Sequence, residues 1–99
     1  MKFMVSWRVH SDKRADILKT WCSLTPEQRA DVGDDVTLIG RWHNSAEYTG
    51  VAVFETENLS ALYRYLGRWN PVMDLEVGPV LDDEESAEAG RAILADLSA

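Results

Sequence analysis

An α+β fold, a four-stranded antiparallel sheet with its helices on one face, is what this sequence predicts, and three observations predict it. Four runs alternate apolar and other residues in the manner of strands, at Lys2 to His10, Val36 to His43, Tyr48 to Glu55 and Val72 to Val80. The gaps between them hold a helical stretch, a short polar turn and a second helical stretch, which is the order βαββαβ. The chain has 99 residues, the size of one domain, so a single unit over residues 1–99 is expected.

The elements follow from local signals. In the first strand Phe3, Val5, Trp7 and Val9 share a face. Ser11 offers an N-cap, and Ile17, Leu18, Trp21 and Leu24 recur at helical spacing, with the helix ending near Ser23. Thr25-Pro26-Glu27-Gln28 supplies a cap residue, a proline at the first helical position and a glutamine at the third, so a second short helix starts there and Val32-Gly33-Asp34-Asp35 breaks it. The second and third strands are joined by Asn44-Ser45-Ala46-Glu47, short enough for a hairpin. Asn58 caps a helix whose Leu59, Leu62, Tyr63, Leu66 and Trp69 form one stripe, closed by Pro71. After the fourth strand, Asp82 or Asp83 caps an additional C-terminal helix carrying Ala87, Ile93, Leu94 and Leu97. This is the ferredoxin-like arrangement, with expected strand order 4-1-3-2.

Strand parity then separates two faces. Phe3, Val5, Trp7 and Val9, with Val36, Leu38, Gly40 and Trp42, Gly50, Ala52 and Phe54, and Met73, Leu75 and Val77, make an apolar face for the helices. The opposite face mixes Met4, Ile39, Val51 and Val53 with Arg8, His10, Arg41, His43, Glu55 and Asp74. It is too apolar to be left to water, so a second copy is expected to cover it, with Met4, Ile39, Val51, Val53 and Glu55 at the dimer interface and a cavity between the two sheets.

The opening Met-Lys-Phe-Met-Val, Gly40-Arg41-Trp42, Phe54-Glu55-Thr56 before a polar turn, and Trp69 ahead of Val72-Met73-Asp74-Leu75-Glu76-Val77-Gly78-Pro79-Val80 run through nearly the whole chain. In that order they resemble the domain-of-unknown-function family numbered 3303, which is similar to the dimeric α+β-barrel proteins. The resemblance implies a ferredoxin-like fold that pairs through its sheets. It carries over no catalytic residues. The wider group includes cofactor-independent oxygenases, haem-degrading enzymes, small-molecule isomerases and proteins without known activity, so fold analogy cannot choose among them.

The first and second strands run parallel to each other and opposite to the other two, so one mouth of the inter-sheet cavity is expected to collect Arg8, His10, Arg41, His43, Thr49 and Asp74, with Trp69 and Asn70 arriving from the second helix. A polar rim on an apolar cup is the usual form of a small-molecule pocket. Arg8 and Arg41 would stand about 9–10 Å apart, two strand spacings, a separation suited to the two ends of a small anionic ligand. Arg41, Arg8, Asn70, Ile39, Val51 and Val53 are the candidate ligand contacts, and His43 and His10 the candidate general acid or base. Each has a plainer reading. Arg8 is expected to pair with Asp74 across the ladder, Trp7, Trp42 and Trp69 to be core, Cys22 to be a small buried residue, and Arg41, at an exposed strand end, to contribute little to folding.

Other classes are disfavoured. The net charge of −7 repels phosphate backbones, so no nucleic acid is expected. No apolar run approaches membrane-spanning length, Met1 to Val9 lacks a signal-peptide pattern, and the single cysteine leaves no disulfide, so a cytoplasmic protein is expected. No phosphate loop, dinucleotide fingerprint, nucleophile elbow or thiolate pair appears, and the two histidines have no third ligand at the usual spacing, so neither cofactor nor metal is expected. Two functions remain: a small cytoplasmic homodimer that binds an anionic or carbonyl-bearing organic molecule, with cofactor-independent monooxygenase or isomerase chemistry as its enzymatic form, or a non-catalytic dimerisation and protein-interaction module.

Overall fold

The computed structural model describes residues 1–99. Its strands are β1 (Lys2–Val9), β2 (Thr37–Asn44), β3 (Thr49–Glu55) and β4 (Met73–Val80), and its helices are α1 (Arg14–Ser23), α2 (Pro26–Ala30), α3 (Leu59–Leu66) and α4 (Asp83–Ser98). The sheet is antiparallel in the order β2-β3-β1-β4, which is the expected order read from the other edge.

Local chemistry accounts for most element ends. The Thr25 hydroxyl accepts from the Gln28 amide (3.1 Å) while the Gln28 side chain accepts from the Thr25 amide (2.8 Å), a reciprocal cap that starts α2. Asp82 and Glu85 cap α4 in the same way, and Asn58 accepts from the Ala61 amide (3.1 Å) at the start of α3. Ser11 caps nothing: residues 11–13 form a 3-10 turn, and the α-helix begins only at Arg14. The stripe on α3 overruns its helix, which stops at Leu66, yet a turn carries Trp69 onward to pack against the core. Asp35 and Tyr48 adopt positive φ (66° and 55°) where the chain enters β2 and where it leaves the hairpin turn.

The core lies between the sheet and the helical layer. Phe3, Val5, Ala52 and Phe54 from the sheet meet Leu62, Tyr65 and Leu66 of α3, with Val32 closing one end. The other sheet face is open. Lys2, on that side, reaches Glu55, Asp82 and Glu85 at 3.4–3.5 Å and so ties the base of α4 to the sheet.

One irregularity changes the site. Leu38 pairs with Phe54, but Gly40 pairs with Val53, so Ile39 is an extra residue in β2. Beyond that bulge the parity of the strand is reversed. Arg41, opposite the buried Ala52, and His43, opposite Gly50, therefore lie on the helix side, while Trp42, opposite Val51, lies on the open face at 60% exposure. The parity reading had these three residues the other way round. Gly40 makes the arrangement feasible, because a methyl group there would overlap the Trp42 indole.

Candidate functional site

A concavity of about 130 Å³ lies on the helix side, within a single chain. Trp7, Ala52 and Phe54 form its floor, Ile17 and Trp21 of α1 cover it, and Trp69 closes the end. Apolar residues dominate the lining, and the polar groups that enter include Arg41, His43 and the hydroxyl of Tyr65. Arg41 and His43, expected at the mouth of a cavity between two sheets, line this helix-side concavity instead, because the bulge carries them to that side of the sheet.

An aromatic cluster organises the pocket. The Trp7 indole lies over Gly50, where any side chain would collide with it, and so reaches across β3 to meet the His43 ring edge-on at 5.5 Å. Trp21 lies 5.2 Å from the same imidazole and 6.2 Å from Trp69. The Arg41 guanidinium stands 5.0 Å from the Trp21 ring centre, donates from Nη1 to the Arg29 carbonyl (3.0 Å) and from Nη2 to the Tyr65 hydroxyl (3.0 Å). Since the Tyr65 oxygen accepts that bond, its own proton is free to be donated. Arg41 is thus half-buried and built into the packing between the sheet, α2 and α3, contrary to the expectation that it would contribute little to folding.

His43 makes no hydrogen bond within the chain, and its pKa is lowered, first because its surroundings strip water from the charged form and second because Arg41 is nearby. The imidazole is therefore neutral at pH 7. A lowered pKa means that the unfolded chain binds the proton more readily, so stability from this group is present above pH about 6.5 and is lost as pH falls through the folded-state value. His43→Gln is expected to remove that part of the acid sensitivity. Thermal unfolding from pH 5 to 8 checks it: a wild-type protein that becomes more stable on acidification through this window would contradict the assignment.

The remaining residues selected from sequence lie elsewhere. Arg8 sits on the open face opposite Asp74 but forms no ion pair with it; Asp74 is bonded instead to His10 Nε2 at 3.0 Å. Arg8 and Arg41 are thus on opposite sides of the sheet and cannot clasp one ligand. Asn70 donates to the Met73 carbonyl (3.4 Å), bracing the turn into β4. Val51 and Val53 face the open side, Met4 and the extra residue Ile39 are about half exposed, and Glu55 pairs with Lys2. Cys22 is exposed rather than buried, and Trp42 is not core. Trp21 and Tyr65 are the pocket side chains that sequence reasoning missed, Trp21 having been read only as part of a helix stripe.

No group of three His, Cys, Asp or Glu side chains gathers anywhere in the fold, and no helix is long and apolar enough to cross a membrane. A search of curated proteins finds no match to the chain. A family model does match, over residues 1–94, and with nearly the whole sheet-and-helix unit inside that span the chain belongs to the family described as a domain of unknown function, DUF3303.

Proposed function

We propose that this chain binds a small organic molecule carrying an anionic or carbonyl group in the pocket between α1 and the sheet, and that it acts as a cytoplasmic homodimer. The observation that carries the reading is an apolar, aromatic-walled cavity into which one strand delivers both a cation, Arg41, and an unpaired neutral base, His43. Volume sets the size of the ligand. A cavity of about 150 Å³ accepts benzene, so about 130 Å³ in a pocket open on one side suits a single ring whose polar substituents extend toward the opening.

In this reading the ligand oxygen takes a hydrogen bond from the free Tyr65 proton or an unused Arg41 N–H, and the ring stacks among the indoles. A neutral base beside donors that stabilise a developing oxyanion is the pairing needed to remove a proton from a phenol or from carbon next to a carbonyl. That step would open the reaction of a cofactor-independent monooxygenase or isomerase. Calorimetry with phenol, benzoate and 4-hydroxybenzoate tests the site. Saturable binding of at least one is expected, with a fused-ring analogue binding more weakly. Absence of binding by all three would overturn the assignment.

The dimer is supported by the open sheet face, where Met4, Ile39, Trp42, Val51 and Val53 form an apolar patch beside Arg8 and Glu76. Val53→Glu would place a charge at the centre of a sheet-to-sheet interface, and when the apolar side of α4 is also broken by Leu94→Glu, light scattering should show the mass falling from two chains to one at micromolar concentration. An unchanged dimer in that variant would place the interface elsewhere. An exposed, unpaired Cys22 suits a reducing compartment. The breadth of the same face favours a second reading, a non-catalytic dimerisation or protein-interaction module. Dimerisation without any ligand in the calorimetric screen would select it.

A further inference from the structure

The C-terminal helix leaves the body of the protein. The Cα radius of gyration is 16.5 Å and the extents are 56 × 28 × 20 Å, whereas a compact chain of about 100 residues has a radius near 13 Å. No residue of α4 is buried, and Ile93, Leu94 and Leu97 are 56%, 66% and 78% exposed. These residues are not scattered. Ala87, Gly90, Leu94 and Leu97 follow helical spacing, with Ile93 beside them, so one side of the arm is an apolar stripe. With Gly90 in its middle and no tertiary packing along it, an isolated helix of this sequence gains little stability in water. The Lys2 contacts hold only its base.

We infer that the arms of two copies of this chain pair antiparallel along their apolar stripes, crossing at Gly90. The two halves of the arm differ in a way that selects this partner and this direction. Asp83, Glu84, Glu85 and Glu88 give the first half a charge of −4, while Arg91 and Asp96 cancel in the second. Parallel pairing would stack the acidic halves on each other. Antiparallel pairing sets each acidic half against the neutral half of its partner and brings Arg91 toward the partner's acidic half. Side-chain size supports the same centre. A two-fold at Gly90 sets Ile93 opposite the partner's Ala87 and Leu94 opposite the partner's Ser86, large residues onto small ones, while Leu97 lies at the rim beside the partner's Asp83. Gly90 itself allows close approach, and a Cβ there would meet nothing within 4 Å in the single chain.

Cysteine cross-linking tests the contact and its direction in the full chain. In a Cys22→Ser background, Gly90→Cys should form a covalent dimer rapidly under mild oxidation, because the two positions meet at the two-fold. Leu97→Cys should not, since its two copies would lie about 21 Å apart, fourteen residues of helical rise. Repeating both in a Val53→Glu background separates the arm contact from sheet pairing, and the same pattern is expected there. As a second measurement, Leu94→Glu should raise amide hydrogen exchange in α4 at least tenfold with the sheet amides unchanged. Rapid cross-linking through Leu97→Cys, failure of Gly90→Cys to cross-link, or α4 amides that already exchange at free-peptide rates in the wild type would each overturn the inference.

Discussion

Gly50→Ala is expected to destabilise the protein by about 3 kcal/mol, lowering the melting temperature by roughly 12–24 °C, and to abolish ligand binding in the α1 pocket. The added methyl group would overlap the Trp7 indole and stand 2.6 Å from the Trp42 carbonyl. An indole can move aside, but only by giving up its contact with His43 at the pocket floor. The carbonyl belongs to strand β2, so moving it disturbs the β2–β3 ladder at the His43–Gly50 pair. Packing strain and loss of the site therefore arise together. Thermal unfolding and calorimetry on the same sample check both, and a variant melting within about 2 °C of the wild type would show that the floor has room to spare.

Arg41→Ala is expected to weaken binding of a carboxylate-bearing single-ring ligand at least tenfold and to cost about 1–3 kcal/mol of stability. Two acceptors, the Arg29 carbonyl and the Tyr65 hydroxyl, lose their donor, and the Trp21 ring loses its cation. Arg41→Lys should recover the charge without recovering the geometry, since an ammonium cannot bridge both acceptors and stack on the indole as a planar guanidinium does. Urea unfolding read beside calorimetry separates the two effects. If Arg41→Ala bound the ligand as tightly as the wild type, the cation would be structural only.

The element order, the sheet order and three of the helix caps were legible because each rests on short-range chemistry. A capping box needs four residues, as in Thr25 to Gln28, and alternation along β1 and β3 needs only the residues of the strand itself. The side of the sheet on which Arg41 and His43 lie was not legible by the same means. One extra residue reverses every side chain that follows it, and no alternation rule detects an insertion from within a run. The available signal was Gly40 inside a strand, a mark of a bulge or a close approach; here it is adjacent to the bulge and also lies beneath the Trp42 ring. Arg8 and Asp74 illustrate a different limit. Their register was foreseen correctly, but His10 reaches the carboxylate from beyond the strand end, a contact no ladder position predicts. Trp21 was recognised as part of a helical stripe, yet its contacts with His43, Arg41 and Trp69 depend on how α1 crosses the sheet, which is a tertiary property.

The bulge at Ile39 also governs how the sheet can grow. A sheet of four strands has two free edges, here β2 and β4, and an unbroken edge is a template for another chain to extend. The β2 edge is interrupted at Ile39, where the register slips. The β4 edge carries Pro79, which has no amide hydrogen to offer an incoming strand. Strand addition is thereby discouraged on both sides, so the proposed pairing of copies through the sheet face or the C-terminal arm would not have to compete with edge-to-edge extension of the sheet into fibres.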